Sequence, residues 1–418
     1  MLGSTPDDGV GTGARRVRSA REATRSNACA TTVRRFSGPE AVELGVLCRP
    51  CATAVDASFE AEAAYRALAA DLHAHGASFA NLASETLFLR DVRRELSTVL
   101  GARARVLAEL GQSAYAPLPA IIQQPPVDPA TSLAVAAWSV VPRRRGQWSA
   151  RDIALRPACS CSGCALAGGR LIRLGDETSL RAVNVCGAGN SAFEQASNMF
   201  AAAERLLQEC GMGFRDVVRT WIHLRDIGRD YDALNAARRA FFRRSGIDIR
   251  PASTGVQGGP ASETHDISMS FAALCSPRPP RAVPMSAPKL NEAWTYGADF
   301  SRGLRVADAN KVALYVSGTA SVDEAGRTVH AGNFAAQADR MLDNIASLLA
   351  QQEAAFEDLA AGVAYVRDAS DAPLLRAKFD QRGLGDFPCP IVQAPLCRCE
   401  LLCEMEAVAA LIPAAAAA

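Results

Sequence analysis

The chain repeats one pattern of helix and strand three times, at a spacing of about 140 residues. In the second and third copies, apolar residues recur every three or four positions and form one helical face. These faces are Met199, Phe200, Ala203, Leu206 and Leu207, and then Met341, Leu342, Ile345, Leu348 and Leu349. A weaker first copy contains Tyr65, Leu68 and Leu72. Each unit has the size of a domain, so the repeat predicts three homologous domains rather than a solenoid.

Every copy continues in the same order after its helix. A strand ends at an Arg-Asp pair, and a second helix, a Pro-containing turn and a final strand follow. This order predicts the α+β class, in which each domain is a mixed sheet with two helices packed on one face. We expect domains over residues 41–148, 149–282 and 283–418, after a Gly-, Arg- and Ser-rich disordered tail over residues 1–40. In the third copy alone we identify a complete front strand, Val312–Ser321.

The charge balance excludes a strong nucleic-acid footprint. The 45 basic and 44 acidic residues leave a formal net charge of +1, whereas nucleic-acid-binding domains carry basic patches. No run of about 18 apolar residues predicts a membrane span. The N-terminus has no apolar signal segment, so we expect a cytoplasmic chain with reduced thiols.

The chain has 13 cysteines, and most of them are expected to be small buried hydrophobic residues. One short cluster, Cys159-x-Cys161-x-x-Cys164, could chelate a metal ion if Cys48-x-x-Cys51 completed a four-thiolate zinc site. Such an ion would be structural, and the sequence leaves open whether the cluster binds one. No metal or cofactor is assigned to the active site, because the five histidines form no spaced ligand set.

The final strand of the third copy carries two carboxylates, Glu404 and Glu406, inside an apolar run. Residues two apart on a strand share a face, and burying a charge without a partner is costly. The corresponding strands of the other two copies, 132–141 and 266–275, have no carboxylate past their first residue. Glu404 is therefore a candidate catalytic acid; the alternative is a solvated sheet face or a salt bridge.

The repeat resembles the Rid (YjgF) family, whose members are trimers of a chorismate-mutase-like domain with sites between subunits. Residues 170–411 more closely resemble the chorismatases, which carry Rid-like domains. The matching stretches are Arg219-Thr-Trp221, Tyr231 to Phe242, Pro251-Ala-Ser-Thr-Gly255, Tyr296-Gly297, Phe300-Ser-Arg302, Ser317-Gly-Thr-Ala-Ser321, Asn344-Ile345 and Cys397-Arg-Cys-Glu-Leu-Leu-Cys-Glu404-Met-Glu406. Three tandem Rid-like domains in one chain imply a pseudo-trimer.

The resemblance implies an enzyme that cleaves the enolpyruvyl ether of chorismate to pyruvate and an aromatic acid. Glu404 matches the catalytic Glu of the chorismatases. Cys397 and Gly318 match positions that vary with the product, and Cys with Gly is the type that forms 3-hydroxybenzoate. Cys397 is also a candidate catalytic residue, as an acid or a base; the alternative is that it only shapes the pocket. Tyr296 and Arg302 match substrate-pocket positions. Arg239 and Arg219 are further candidates for substrate binding, because guanidinium groups bind carboxylates bidentately.

Two features depart from these families. The N-terminal copy has no counterpart in two-domain chorismatases, and the last turn, Pro388-Cys389-Pro390, lacks the carboxylate-binding Arg of simple Rid hydrolases. A Rid-type enamine or imine hydrolase and a non-catalytic ligand-binding protein remain the alternative functions. The expected partner is the small molecule chorismate, without nucleic acid or membrane. The chain is expected to be a monomeric pseudo-trimer or a homo-oligomer.

Overall fold

A computed structural model describes residues 21–25, 28–51, 56–156, 159–277, 282–292, 299–385 and 387–413. Strands at Arg21–Arg25 and Cys29–Ser37 lie inside the stretch predicted as a disordered tail, so that prediction is wrong for these residues. The second of these strands alternates apolar and polar residues weakly, but it pairs over its whole length with the strand that follows it. Pairing with a neighbour therefore orders a segment whose own sequence gives little signal.

The described strands form three sheets, each with two helices on one face. The first contains β1 (Arg21–Arg25), β2 (Cys29–Ser37), β3 (Ala41–Pro50), β4 (Leu82–Leu89), β5 (Ala120–Gln123) and β6 (Leu133–Pro142), with α1 (Ala57–Ala74) and α2 (Val92–Glu109). The second contains β7 (Trp148–Ala154), β8 (Gly168–Leu174), β9 (Glu177–Cys186), β10 (Val217–Leu224), β11 (Ala252–Gln257) and β13 (Ile267–Cys275), with α3 (Ala192–Glu209) and α4 (Ile227–Ser245). The third contains β14 (Ala282–Met285), β15 (Gly303–Ala307), β16 (Val312–Ala320), β17 (Leu359–Val366), β18 (Ile391–Gln393) and β19 (Cys403–Leu411), with α5 (Phe334–Ala350) and α6 (Ala372–Gln381).

The three sheets have the same strand order, which confirms the predicted α+β repeat. In each sheet three antiparallel front strands are followed by the last strand of the copy, then the middle strand, then a short parallel strand. The two-residue strand β12 (Gly259–Pro260) departs from this plan, because it pairs with β5 of the first sheet. All three copies have the front strands, so the expectation that only the third copy is complete there is wrong.

The repeated Arg-Asp pair has a structural cause. Asp91 and Asp226 accept hydrogen bonds from the first backbone N–H groups of α2 and α4, which satisfies donors that a helix leaves unpaired. The neighbouring Arg90, Arg225 and Arg367 donate to backbone carbonyls of the loop that precedes the last strand of each copy. In the first two copies the pair therefore positions the second helix and the final loop together. In the third, Asp368 instead accepts from the Ser370 N–H in the 3₁₀ turn before α6.

The two faces of the third sheet have different partners. On β19, Cys403, Met405 and Ala407 pack in a core with α5, whereas Glu404 and Glu406 point to the opposite face because strand residues alternate. The helix-free faces of the three sheets meet in apolar clusters that join all pairs of domains. This arrangement is the predicted pseudo-trimer. Measured against the length and hydropathy that a membrane span requires, every helix in the described part of the chain falls short.

A buried ion pair joins the first and third domains. Glu43 on β3 accepts hydrogen bonds from Lys311 Nζ at 2.6 Å, Asn310 Nδ2 at 2.7 Å and Trp138 Nε1 at 2.8 Å. Burial raises the pKa of Glu43, but the Lys311 charge and these donors outweigh it and lower the pKa overall. The Glu43 carboxylate is thus held as an anion by a cation from another domain.

We predict that Lys311→Met lowers the free energy of unfolding by about 3–5 kcal/mol, because it leaves Glu43 charged and buried without its cation. Lys378→Met is the matched control: Lys378 pairs with Asp339 at 2.7 Å, but Asp339 is 38% exposed, so its loss is expected to cost less than about 1 kcal/mol. Urea unfolding of both variants measures the difference. Equal losses in the two variants would show that the Glu43 pair does not stabilise the domain contact.

Candidate active site

The largest cavity that contains a predicted site residue lies between the second and third domains and has a volume of about 590 Å³. Its walls come from helix α4, from strands β11, β16 and β19, and from the loops that precede β15 and β19. The residues that line it are Tyr231, Asp232, Asn235, Arg239, Ser253, Gly255, Phe300, Arg302, Gly318, Ala320, Val322, Cys397, Arg398, Leu401 and Glu404. A site between domains corresponds to a site between subunits in a true trimer.

Helix α4 contributes one stripe of side chains to the cavity. Tyr231, Asn235 and Arg239 are spaced four residues apart, so they lie on the same helical face. The adjacent Arg238 is buried, donates to Asn235 Oδ1 at 2.6 Å, and lies over the Phe300 ring. Tyr231 and Asn235 were not predicted as site residues from the sequence, although their four-residue spacing with the candidate Arg239 places them on the same helical face.

Glu404 is 5% exposed and its carboxyl group borders the cavity. Burial, and next the negative charge of Glu406, raise the pKa of Glu404 to about 7, although Arg302, Arg219 and Arg398 act in the opposite direction. Within the described part of the chain no side chain donates a hydrogen bond to this carboxyl group. A carboxylic acid with such a pKa carries its proton near neutral pH and can donate it.

Glu406, two residues further on, has a different environment. Arg219 Nη2 donates to it at 2.8 Å and Trp221 Nε1 donates at 2.6 Å. Tyr365 forms a further side-chain hydrogen bond with it. The two carboxylates therefore have different environments: Glu406 is in a buried salt bridge, and Glu404 borders a cavity.

Gly318 provides the space for the Glu404 carboxyl group. The pairing of β16 with β19 shifts register between Val316 and Thr319, so a bulge places Gly318 against Glu404. A Cβ atom at position 318 would lie 2.1 Å from Glu404 Oε1 and 3.2 Å from Thr254 Cγ2. Thr254 Oγ1 accepts from the Gly318 backbone N–H at 3.1 Å and from Arg219 Nη2 at 2.5 Å. Thr254 thus connects the Arg219–Glu406 pair to the backbone beside Glu404.

Three arginines line the cavity. Arg302 is 4% exposed, and Asn291 orients it by accepting at 2.8 Å through its backbone carbonyl and at 3.2 Å through Oδ1. Arg398 donates to the Gly326 carbonyl at 2.7 Å. Arg239 is exposed at the edge of the cavity. Acidic side chains in the lining are Asp232 and Glu404, so the site favours a ligand with negative charge.

Cys397 is half-buried beside Tyr231, with which it shares a hydrogen bond. Burial, and then the Glu404 charge, raise the pKa of the Cys397 thiol to about 12. The thiol is therefore neutral at physiological pH, and a nucleophilic thiolate is disfavoured at this position. A neutral thiol can shape the cavity and donate a weak hydrogen bond.

The structure brings together five of the predicted site residues in one cavity: Glu404, Cys397, Gly318, Arg302 and Arg239. Arg219 is not among the lining residues, because it is 1% exposed and bound to Glu406. From its mid-strand position before Trp221, support of neighbouring loops and contact with substrate are equally expected for Arg219. Tyr296 lies outside the described residues.

The strand registers show why the other interfaces lack this site. Glu404 lies opposite Tyr365 on β17, and the same position in the sister sheets is Ala134, opposite Phe88, and Ser268, opposite His223. Neither of these residues can act as a carboxylic acid. The described part of the chain therefore has one carboxylic acid at this position of the repeat.

Comparison with known proteins supports the fold. The chain is similar to a chorismatase of known crystal structure, with 19% sequence identity and a TM-score of 0.52, over 69% of this chain and 86% of that one. It is also similar to RidA from an Antarctic Psychrobacter bacterium, with 18% identity and a TM-score of 0.26, over 30% of this chain and 98% of that one. Neither a protein-family model nor a curated protein matches the sequence. The predicted resemblance to a chorismatase is confirmed at the level of the fold.

We predict that Glu404→Gln stabilises the protein more at pH 8 than at pH 5. A folded-state pKa of about 7, above the unfolded value of about 4.3, means that this group stabilises the fold fully at low pH. That stability is lost as pH rises through 7. Gln stays neutral, so the gain of the variant over the wild type should grow by about 2–3 kcal/mol between these pH values. Urea unfolding at both pH values measures it, and a gain independent of pH would contradict the raised pKa.

Proposed function

We propose that this chain, which has the fold of a chorismatase, cleaves the enolpyruvyl ether of chorismate to pyruvate and an aromatic acid. The observation that carries the proposal is the buried Glu404, whose pKa is raised to about 7, at the wall of a cavity lined by three arginines. The cavity volume of about 590 Å³ lies in the range of about 300–1,000 Å³ that small-molecule sites occupy.

The first chemical step requires an acid. Glu404 donates its proton to the methylene carbon of the enol ether, and the C=C electron pair forms the new C–H bond. The ether oxygen stabilises the resulting oxocarbenium ion, and Glu404 becomes a carboxylate beside it. Proton transfer to carbon is slow, so an acid with a pKa near the working pH and a position fixed by packing is favoured. The closeness of Glu406 supports this role, because its negative charge makes Glu404 hold its proton in the free enzyme.

Substrate binding rests on the arginines. Chorismate carries two carboxylates, and guanidinium groups bind carboxylates through paired N–H donors. Arg302 is the first candidate, since Asn291 and the Phe300 ring hold its orientation. Arg239 and Arg398 border the same space and are candidates for the second carboxylate. Arg219 acts as a positioning residue, through Glu406 and Thr254.

The product depends on how the oxocarbenium ion collapses. Chorismate and the sum of pyruvate plus 3-hydroxybenzoate have the same atoms, so this outcome consumes no water overall. Pyruvate plus a dihydroxycyclohexadienoate contains one water more. Gly318 and the neutral Cys397 thiol both border the cavity. They match the Gly and Cys of the chorismatase type that forms 3-hydroxybenzoate, and we therefore assign 3-hydroxybenzoate as the aromatic acid.

We predict that the purified chain releases pyruvate from chorismate and that Glu404→Gln lowers the rate by at least about 10³-fold, because Gln cannot donate the proton. A coupled pyruvate assay with chromatography of the aromatic product measures both. No turnover of chorismate, together with hydrolysis of a 2-iminopropionate-type substrate, would instead establish a Rid-type hydrolase. Turnover of neither substrate would contradict the proposal and favour a non-catalytic ligand-binding protein.

We further predict that kcat/KM falls about tenfold per pH unit above pH 7, where Glu404 loses its proton. Glu406→Gln removes a neighbouring negative charge and leaves the Arg219 charge uncompensated, and both changes lower the pKa of Glu404. The midpoint of the fall should therefore move to lower pH. A pH–rate profile that is the same in the wild type and Glu406→Gln would show that Glu404 is not the titrating acid.

The double change Gly318→Ala and Cys397→Ala should shift the product from 3-hydroxybenzoate to the dihydroxycyclohexadienoate. An alanine at 318 displaces the Glu404 carboxyl group, and loss of the Cys397 side chain enlarges the space beside it. Chromatography of the ring products measures the shift, since 3-hydroxybenzoate and the dihydroxycyclohexadienoate are different compounds. Cys399→Ala, which changes an exposed cysteine two residues away, is the control. An unchanged product in the double variant would remove these positions as determinants of the product.

A further inference from the structure

A second group of reactive side chains lies where the second domain meets the first. Cys159, Cys161, Cys164 and His265 direct their ligand atoms at one another, and all four atoms lie within 4.8 Å of each other. The three cysteines belong to the loop between β7 and β8, and His265 precedes β13. The sequence separates them by about 100 residues, which is why the histidine is not recognisable as a ligand from spacing alone.

The distances in this group match a tetrahedral zinc site. Cys159 Sγ lies 3.5 Å from Cys164 Sγ, and Cys164 Sγ lies 3.6 Å from His265 Nδ1. An ion bound at about 2.3 Å to sulfur and about 2.0 Å to nitrogen in tetrahedral geometry separates its ligands by about 3.5–3.8 Å. A disulfide would require a sulfur–sulfur distance of about 2.05 Å. All cysteines in the described part of the chain are free thiols.

The surrounding groups are those that support bound thiolates. The backbone N–H of Cys161 points to Cys159 Sγ at 3.3 Å, and the N–H of Cys164 points to Cys161 Sγ at 3.4 Å. Ser262 Oγ lies 3.2 Å from Cys161 Sγ, and Thr264 Oγ1 lies 3.4 Å from Cys159 Sγ. Both hydroxyl groups also lie near His265 Nδ1, at 2.7 and 3.0 Å. An Nδ1 whose lone pair binds an ion cannot also accept from them, so their bonds to the sulfur atoms are the ones that orient metal ligands.

Two of the four ligands are shielded from water: Cys164 is 1% exposed and His265 is 3% exposed. Cys159 and Cys161 are half-buried, so an ion can enter from outside. Four protein ligands fill a tetrahedral shell and leave no position for a substrate, which is typical of a structural rather than a catalytic zinc ion.

The group occupies the counterpart of the catalytic cavity. Cys186 on β9 lies opposite Ser268, as Ala320 on β16 lies opposite Glu404, and Cys164 contacts Cys186 there. The cysteine loop thus covers, at the interface of the first and second domains, the place that is open at the interface of the second and third. Leu166 at the end of this loop packs against the core of the first domain.

The loop also approaches the other domain closely. A Cβ atom at Gly163 would lie 2.2 Å from the carbonyl oxygen of Ala261, a residue of the second domain that packs into the core of the first. Asn184 donates from Nδ2 to the Leu166 carbonyl at 2.9 Å and to the Pro119 carbonyl at 2.8 Å. Whatever holds the cysteine loop therefore holds the first domain against the second.

Cys48 and Cys51, the pair considered in the sequence analysis, are not members of this group. Cys48 lies beside Cys29 inside the first domain, with which it shares a side-chain hydrogen bond. His265, which the sequence did not identify, takes the fourth place. We propose that Cys159, Cys161, Cys164 and His265 bind one structural zinc ion that fastens the first domain to the second.

The test uses the full chain purified under reducing conditions without chelator. Elemental analysis should find close to one zinc per chain, and extraction with a chelator should lower the melting temperature. Cobalt(II) added to the extracted protein should give the intense visible bands of tetrahedral coordination together with a thiolate charge-transfer band. A protein that contains no zinc and gives no such spectrum overturns the proposal, and so does one that contains iron with acid-labile sulfide.

Variants identify the ligands. Cys161→Ser should reduce the zinc content at least tenfold, whereas His265→Cys should retain zinc, because four thiolates also form a tetrahedral site. Cys210→Ser changes a half-buried cysteine outside the group and should leave the zinc content unchanged. Should Cys161→Ser fail to fold, the cobalt spectrum of the wild type decides: its charge-transfer intensity should correspond to three thiolates. Full zinc content in Cys161→Ser would overturn the assignment.

Discussion

The buried pair of Arg219 and Glu406 is the interaction on which the candidate site depends. Burying either charge alone would cost several kcal/mol, and each is stabilised by the other across the contact of the second and third domains. Trp221 and Tyr365 add hydrogen bonds to Glu406, so its negative charge is held in place. Glu404 is buried next to this charge, and no side chain in the described part of the chain donates to it. Burial, and next the Glu406 charge, raise the pKa of Glu404 to about 7, so the site obtains an acid near neutral pH.

The fold could be predicted because its signals are local and repeated. Helical faces such as that from Met199 to Leu207 have the period of a helix, and three copies of the Arg-Asp pair confirm one another. The strands in the stretch predicted as a tail were missed because β2 is ordered by pairing with β3, while its own sequence carries little strand signal. The front strands of the second copy also pair with each other along their length.

The candidate site was predictable only where the resemblance or an internal comparison supplied a signal. Glu404 is distinguished from its counterparts Ala134 and Ser268 by residue type alone. Arg219 was assigned to substrate because the sequence does not show that Glu406 is its partner, 187 positions away. His265 was dismissed for want of neighbouring ligands, although the fold brings it to three cysteines. In each case the missing information is a contact between segments distant in sequence.

A single chain permits what a symmetric trimer does not. In a homotrimer every substitution appears at all three interfaces, so an acid that serves catalysis is also buried wherever it is not needed. Here the three contacts differ. Glu404 borders an open cavity between the second and third domains, and the cysteine loop covers the same place between the first and second. The Glu43–Lys311 pair joins the first domain to the third. The candidate acid lies at one interface only, so the other two can be stabilised by contacts that a symmetric trimer would have to repeat at its active sites. The first domain adds Val46, Phe88 and Trp138 to the space beside the buried Arg219–Glu406 pair.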